Sequence, residues 1–232
     1  MIKTIEAVTY DFFGDVFIDI GANVGMWSTE MVGLYDNIIY VEPGQNALIQ
    51  GQARIKALCE QKNVPYENIQ FLKNVCSSEA GKEFTLTATG PDTGNLSIFA
   101  EELYGTTNVT MREEKVPTIT LDSLIPNIKE GQEDIFVKID TEGADLDVML
   151  GGFEFIKKFK PDIFMEAHYH MYFDEAKHKK VFDFMAEQGY KVYEFKMDGY
   201  INNPNHVFDG KQNGTQMYDM HLQMVFQYEG EE

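Results

Sequence analysis

The stretch Val16-Phe17-Ile18-Asp19-Ile20-Gly21-Ala22-Asn23-Val24-Gly25 decides the fold. Its first five residues are a β-branched and aromatic run that reads as a buried strand. Beyond the glycines, Val24, Trp27, Met31 and Leu34 fall at helical spacing. A strand that passes through such a turn into a helix brings backbone N–H groups and a helix N-terminus to a ligand. Glycine at 21 and 25 lets the backbone approach without a Cβ in the way.

Two details refine the turn. Its spacing is GxxxG, whereas a dinucleotide turn reads GxGxxG. A carboxylate, Asp19, stands two residues before the first glycine. Aimed at a pyrophosphate it would be repelled; beside a ligand with an amino group and a sulfonium it would be attracted. S-adenosylmethionine carries both charges. An NAD-dependent oxidoreductase is therefore the weaker enzyme reading, and a non-catalytic cofactor-binding module of the same fold stays open.

The pattern repeats outward. Ile38-Ile39-Tyr40-Val41 is a second buried strand closed by Glu42-Pro43-Gly44, and Leu48, Ile55 and Leu58 mark a helix over roughly 45–62. Glu42 ends its strand where an acid accepts hydrogen bonds from ribose hydroxyls. Ile69-Gln70-Phe71-Leu72 is a third strand. Over about 82–120 the alternation changes, with Glu83 to Thr89 and Val116 to Thr120 extended around polar loops; this predicts a β-rich insertion or a lid. A strand at Ile135–Ile139, helical turns from Ala144 to Phe159, a strand at Ile163–Met165, a helix ended by Gly189 and a strand at Val192–Phe195 then follow. Met220, Leu222, Met224 and Phe226 alternate with polar residues, which predicts a terminal strand antiparallel to its neighbours. The sum is one doubly wound, Rossmann-like α/β domain over 1–232, with a mostly parallel sheet of about seven strands.

A second acidic cluster, Lys138-Ile139-Asp140-Thr141-Glu142-Gly143-Ala144-Asp145, ends the fourth strand. In an open sheet ligands sit beyond the carboxyl ends of the strands, near the switch in strand order. The turns after strands one, two and four then converge, and Asp140 and Glu142 aim at the cleft. Asp145, Asp147 and Glu154 read as solvated acids of helical first turns. Glu166 and His168 end the fifth strand. A hydroxyl acceptor needs a base within hydrogen-bond reach, for which His168 or Asp140 is expected. His168, His170, Glu166 and Asp140 form a mixed set that a divalent cation could use. Its spacing is not a zinc motif, and no metal is assigned.

These segments together resemble the FkbM family of S-adenosylmethionine-dependent methyltransferases. The likeness is carried by 16–25, by Val41-Glu42-Pro43, by Thr120-Leu121-Asp122-Ser123-Leu124, and most specifically by Val137 to Asp145 with Gly151 after it. Lys160-Pro161 and Glu166-Ala167-His168 fit as well, so it spans roughly residues 15–170. The resemblance implies a class I methyltransferase fold and O-methylation of a hydroxyl on a sugar or other small molecule, with S-adenosylhomocysteine as product. By motif position it implies cofactor contacts at Asp19, Gly21, Asn23, Gly25, Glu42, Asp140 and Glu142, with Asn74 near the adenine. After Asn74, Val75-Cys76-Ser77-Ser78 departs from the family's usual pattern. Phe99, Tyr104, Asn108, Tyr200, Asn202, Asn203 and Phe208 are the candidates for acceptor contacts.

Composition closes off other classes. The 232 residues carry 19 basic and 38 acidic side chains, a net charge of −19. Nucleic-acid affinity comes mostly from Lys and Arg at phosphates, so that partner is excluded, as is an anionic membrane surface. Two cysteines give no disulfide framework or zinc cluster. No apolar run reaches the length of about 18 residues that spans a bilayer. The expectation is a cytoplasmic protein with a small-molecule partner; no oligomeric partner is assigned.

Overall fold

The computed structural model describes residues 13–89, 96–97, 111–168, 174–196, 199–201, 211–212, 215–216 and 221–229. The first half runs β1 (Gly14–Ile20), α1 (Met26–Met31), β2 (Tyr35–Val41), α2 (Gln45–Lys62) and β3 (Ile69–Leu72). A small sheet follows: β4 (Val75–Cys76), β5 (Glu83–Thr89), β6 (Leu96–Ser97) and β7 (Met111–Ile119). The second half holds β8 (Ile135–Ile139), α3 (Asp145–Leu150), α4 (Phe153–Phe159), β9 (Asp162–His168), α5 (Glu175–Glu187), β10 (Tyr190–Lys196) and β11 (Gly199–Ile201). The hairpin β12 (Lys211–Gln212) and β13 (Thr215–Gln216) precedes β14 (His221–Tyr228).

The main sheet has the order β11-β10-β14-β9-β8-β1-β2-β3. β1, β2, β3, β8 and β9 are parallel. β14 runs antiparallel to both β9 and β10 and is inserted between them. Seven strands thus form the mostly parallel sheet the sequence calls for, and the short β11 extends its edge. The order reverses between β1 and β8, which start the two halves, and that switch opens a crevice at their carboxyl ends.

The central strands are buried on both faces. Every residue of β8 is buried. Val16, Ile18 and Ile20 join the core under α3, α4 and α5, whereas Phe17 faces α1 and α2. On that second face Phe17 stacks on Phe136 with ring centroids 5.8 Å apart, and Trp27 meets Phe164 at 4.9 Å. Such pairs add about 0.5–1.5 kcal/mol each beyond the apolar area they bury. Trp27 is therefore core, as its helical spacing suggests. His178, Val181, Phe182 and Met185 form the buried face of α5.

The small sheet has the order β4-β7-β5-β6 and its own apolar centre of Val75, Leu86 and Val116. β5 and β7 pair in unbroken register from Glu83↔Pro117 to Thr89↔Met111. Among the described residues no helix is long and apolar enough to cross a membrane.

Candidate active site

β1 and β8 lie side by side with Asp19 opposite Lys138 and Ile20 opposite Ile139. That register forms a buried ion pair: Lys138 Nζ is 3.1 Å from Asp19 Oδ1 and 3.5 Å from Asp140 Oδ2. The ammonium also donates to the Gly21 carbonyl at 2.7 Å. Asp19 Oδ2 accepts from the Ser28 hydroxyl at 2.7 Å and from its N–H at 3.2 Å. Burial alone would lower the Lys138 ammonium, but Asp19 and Asp140 outweigh it and hold it above its ordinary range. The sequence reading aims Asp19 at the ligand. The structure turns it beneath the glycine turn, toward α1, where it is fully buried.

Gly21, Asn23 and Gly25 adopt left-handed backbone, with φ of 73°, 52° and 79°. At Gly21 nothing larger fits: a Cβ would stand 1.8 Å from the Asp140 carbonyl oxygen. The Asn23 N–H donates to Glu42 Oε2 at 2.8 Å, and the Asn23 carbonyl accepts from the Tyr40 hydroxyl. Glu42 Oε1 accepts from the Gly44 N–H at 2.7 Å. Glu42 thus ties the turn after β1 to the turn after β2. Burial pushes its carboxyl up to about 7, against the pull of those two amides and of Lys138.

The third wall is the loop after β8. Glu142 and Gly143 have φ of 52° and 107°, which bends the chain back over the sheet. Thr141 donates to Asp145 Oδ1 through its N–H at 2.8 Å and its hydroxyl at 2.6 Å. Asp145 Oδ2 faces the His168 N–H at 3.3 Å and Nδ1 at 3.2 Å. Burial would raise Asp145, but the bonds from His168 and Thr141 outweigh it and hold the carboxyl below its usual value. This corrects the reading of Asp145 as a solvated helix acid; it is 3% exposed. Asp147, read the same way, pairs with Lys177 at 2.8 Å.

His168 Nε2 lies 3.5 Å from Glu142 Oε2 and 3.8 Å from Asp140 Oδ1. Burial would lower the imidazole, but Asp145, Asp140 and Glu142 raise it to about 9. Asp140 is pushed up to about 6 by burial, with Lys138 and His168 opposing and Glu166 and Asp145 adding to the rise.

These turns border one open cleft. Gly21, Asn23, Glu42, Asn74, Asp140 and Glu142 line it. Asp19, Gly25 and His168 do not line it. Asn74 also donates to the Pro117 carbonyl at 3.1 Å. Val75, Cys76 and Leu86 bring the small sheet to the cleft as an apolar side. Sequence reasoning missed Ser28, Lys138, Asp145 and Leu86. A lone lysine inside an apolar strand was the available signal for Lys138, since a buried ammonium needs a carboxylate partner. His170 and the acceptor candidates Phe99, Tyr104, Asn108, Asn202, Asn203 and Phe208 lie outside the described residues, as does the side chain of Tyr200.

Comparison with known proteins supplies the family. The family model of the methyltransferase FkbM domain matches residues 19–192. Methyltransferase FkbM from Methylobacillus flagellatus KT is similar in structure, with a TM-score of 0.55 and 15% identity over 92% of this chain. That match covers 43% of the Methylobacillus chain, so the present chain spans less than half of its length. An rRNA methylase from Streptococcus thermophilus shows a TM-score of 0.45 and 8% identity, over 97% of this chain and 90% of its own. SMU.1697c from Streptococcus mutans, in complex with SAH, shows 0.46 and 11%, over 94% of both chains. No curated protein matches by sequence. The glycine turn, Glu42 and the Lys138–Asp145 segment all fall inside the matched span, and the chain belongs to the methyltransferase FkbM domain family.

Proposed function

We propose that this chain is an S-adenosylmethionine-dependent O-methyltransferase acting on a hydroxyl of a small molecule, a saccharide being the favoured class. One observation carries the reading. The glycine turn, the strand-end acid Glu42 and the carboxylates of Asp140 and Glu142 converge on one cleft at the switch in strand order. A wall with two carboxylates suits a cationic ligand and repels a pyrophosphate.

Bound there, S-adenosylmethionine supplies a methyl group already activated by its sulfonium. The chain's own task is alignment and charge. Glu42 holds the ribose hydroxyls, Gly21 and Asn23 shape the backbone under the amino-acid end, and Asn74 stands on the adenine side. Asp140 and Glu142 face the positive charge. Asp19 serves at one remove, by fixing Ser28 and Lys138 beneath the turn. Asp140 and His168 handle the proton of the acceptor hydroxyl at this end of the cleft.

Isothermal titration with S-adenosylhomocysteine and with NAD tests the cofactor; binding of NAD alone would end the reading. Transfer of labelled methyl to a panel of sugars tests the chemistry. Asp140→Asn and His168→Ala are expected to lose turnover while S-adenosylhomocysteine still binds. Full activity in both variants removes these residues from the reaction.

A further inference from the structure

We propose that Asp140, Glu142 and His168 form a divalent-cation site at the acceptor end of the cleft. Each offers one ligand atom, and the three atoms lie within 4.8 Å of one another. His168 Nε2 is 3.5 Å from the Glu142 oxygen and 3.8 Å from the Asp140 oxygen. Those gaps are too long for good hydrogen bonds. Donors that share one small cation at about 2.1 Å sit roughly 3.0–3.5 Å apart, so the two gaps from Nε2 are close to that spacing. One imidazole nitrogen with two carboxylate oxygens suits a divalent ion such as Mn²⁺, Mg²⁺ or Zn²⁺.

Two further features support this reading. The first is the support of the ring. Asp145 holds His168 Nδ1 at 3.2 Å and is itself held by both donors of Thr141. A carboxylate behind the distal ring nitrogen is the arrangement that orients histidines on metals. The second is direction. His168 does not line the cleft, whereas Asp140 and Glu142 do. Its Nε2 faces those two carboxylates, so the three donors converge on one point. The ammonium of Lys138 is divided between Asp19 and Asp140, so three carboxylates, Asp140, Glu142 and Asp145, gather round the one imidazole. An ion there faces the cleft with positions open to an acceptor oxygen and lowers the pKa of a bound hydroxyl. His168 then handles the acceptor proton through the ion it holds. Only this purpose rests on the methyltransferase reading; the binding site does not.

The test is titration of Mn²⁺ into the whole chain without cofactor, followed by the electron paramagnetic resonance of the free ion and by water-proton relaxation. One ion per chain is expected, with enhanced relaxation from water on the open positions. Glu142→Gln changes a side chain that is 41% exposed, so the fold is not at stake. It is expected to weaken Mn²⁺ by about tenfold or more, and Asp145→Asn by about 10–100-fold with an unchanged circular dichroism spectrum. Asp183→Asn, on the exposed side of α5, leaves the affinity unchanged. No saturable binding at millimolar Mn²⁺, or wild-type affinity in both Glu142→Gln and Asp145→Asn, overturns the site. S-adenosylhomocysteine is titrated into the same preparations. Mn²⁺ binding without it sinks the cofactor reading and keeps the ion; the reverse result sinks the ion alone.

Discussion

Glu42→Gln should flatten the pH dependence of stability. Glu42 is 6% exposed, and both its oxygens accept backbone N–H groups, from Asn23 and from Gly44. Burial raises its carboxyl from 4.5 to about 7. A carboxyl raised on folding binds its proton more tightly in the folded chain. It therefore contributes stability below pH 4.5 that is lost as pH rises through 7. The gap is worth about 3 kcal/mol at full extent, of which about 2 falls between pH 5.5 and 8.5. Glutamine carries no charge, so this slope vanishes in the variant. It also leaves one of the two amides facing an NH₂, a loss of about 1–3 kcal/mol that is the same at every pH. The difference between variant and wild type, read from urea unfolding at pH 5.5, 6.5, 7.5 and 8.5, should move in favour of the variant by about 2 kcal/mol. Every other titrating group cancels in that difference. Parallel curves would refute the reasoning, because they would mean that Glu42 is charged at no cost in the folded chain. If Glu42 holds the ribose, the same variant should bind S-adenosylhomocysteine about tenfold more weakly.

Lys138→Met strands the Asp19 carboxylate in the core and should cost about 3–5 kcal/mol in urea unfolding; Asp19→Asn added to it should return most of that loss. A loss below about 1 kcal/mol in the single variant would mean that the ion pair is dispensable. Ser28→Ala removes a hydroxyl bonded to that buried charge and should cost about 1.5–3 kcal/mol by the same assay. Gly21→Ala should drive the turn away from Asp140 and lower S-adenosylhomocysteine affinity about 100-fold while far-ultraviolet circular dichroism is kept. Wild-type binding in that variant would remove the turn from the cofactor site.

The elements that sequence reading located best were those with a clear apolar signature. The short continuous run at 16–20 came out as a buried strand, and the stripe His178, Val181, Phe182 and Met185 came out as a helix by its spacing. The polar stretch at 111–115 did not read as a strand. β7 belongs to a small sheet in which Glu113 and Lys115 are exposed, so no apolar alternation marks it. Asp19 was located but pointed wrongly. A strand covered on both faces is apolar throughout, so alternation holds no record of which face meets α1 and which meets α3. Asp145 was misread for a different reason. The local rule that acids favour a helix N-terminus explained it without any tertiary partner. His168, which buries it, lies on β9 and reaches it only through the strand order. The positions of Glu42, Asp140 and Glu142 were legible because strand ends are where a parallel sheet presents side chains to a ligand.

The two motifs are one object once the register is known. Parallel pairing sets Asp19 beside Lys138 and Ile20 beside Ile139, and the next step brings Gly21 against the Asp140 carbonyl. Opposite charges at one buried cross-strand position favour that register over a one-residue slip, which would turn Lys138 to the other face of the sheet. The pairing also sorts the charge of the site. Asp19 is neutralised where it stands, and its partner steadies the carbonyl of Gly21. Asp140 shares the same ammonium at a longer distance, and Glu142 lies beyond it. Of these carboxylates, the ones that line the cleft are thus those after β8. The aspartate before the glycines, which first suggested a cationic cofactor, acts by holding the turn in shape.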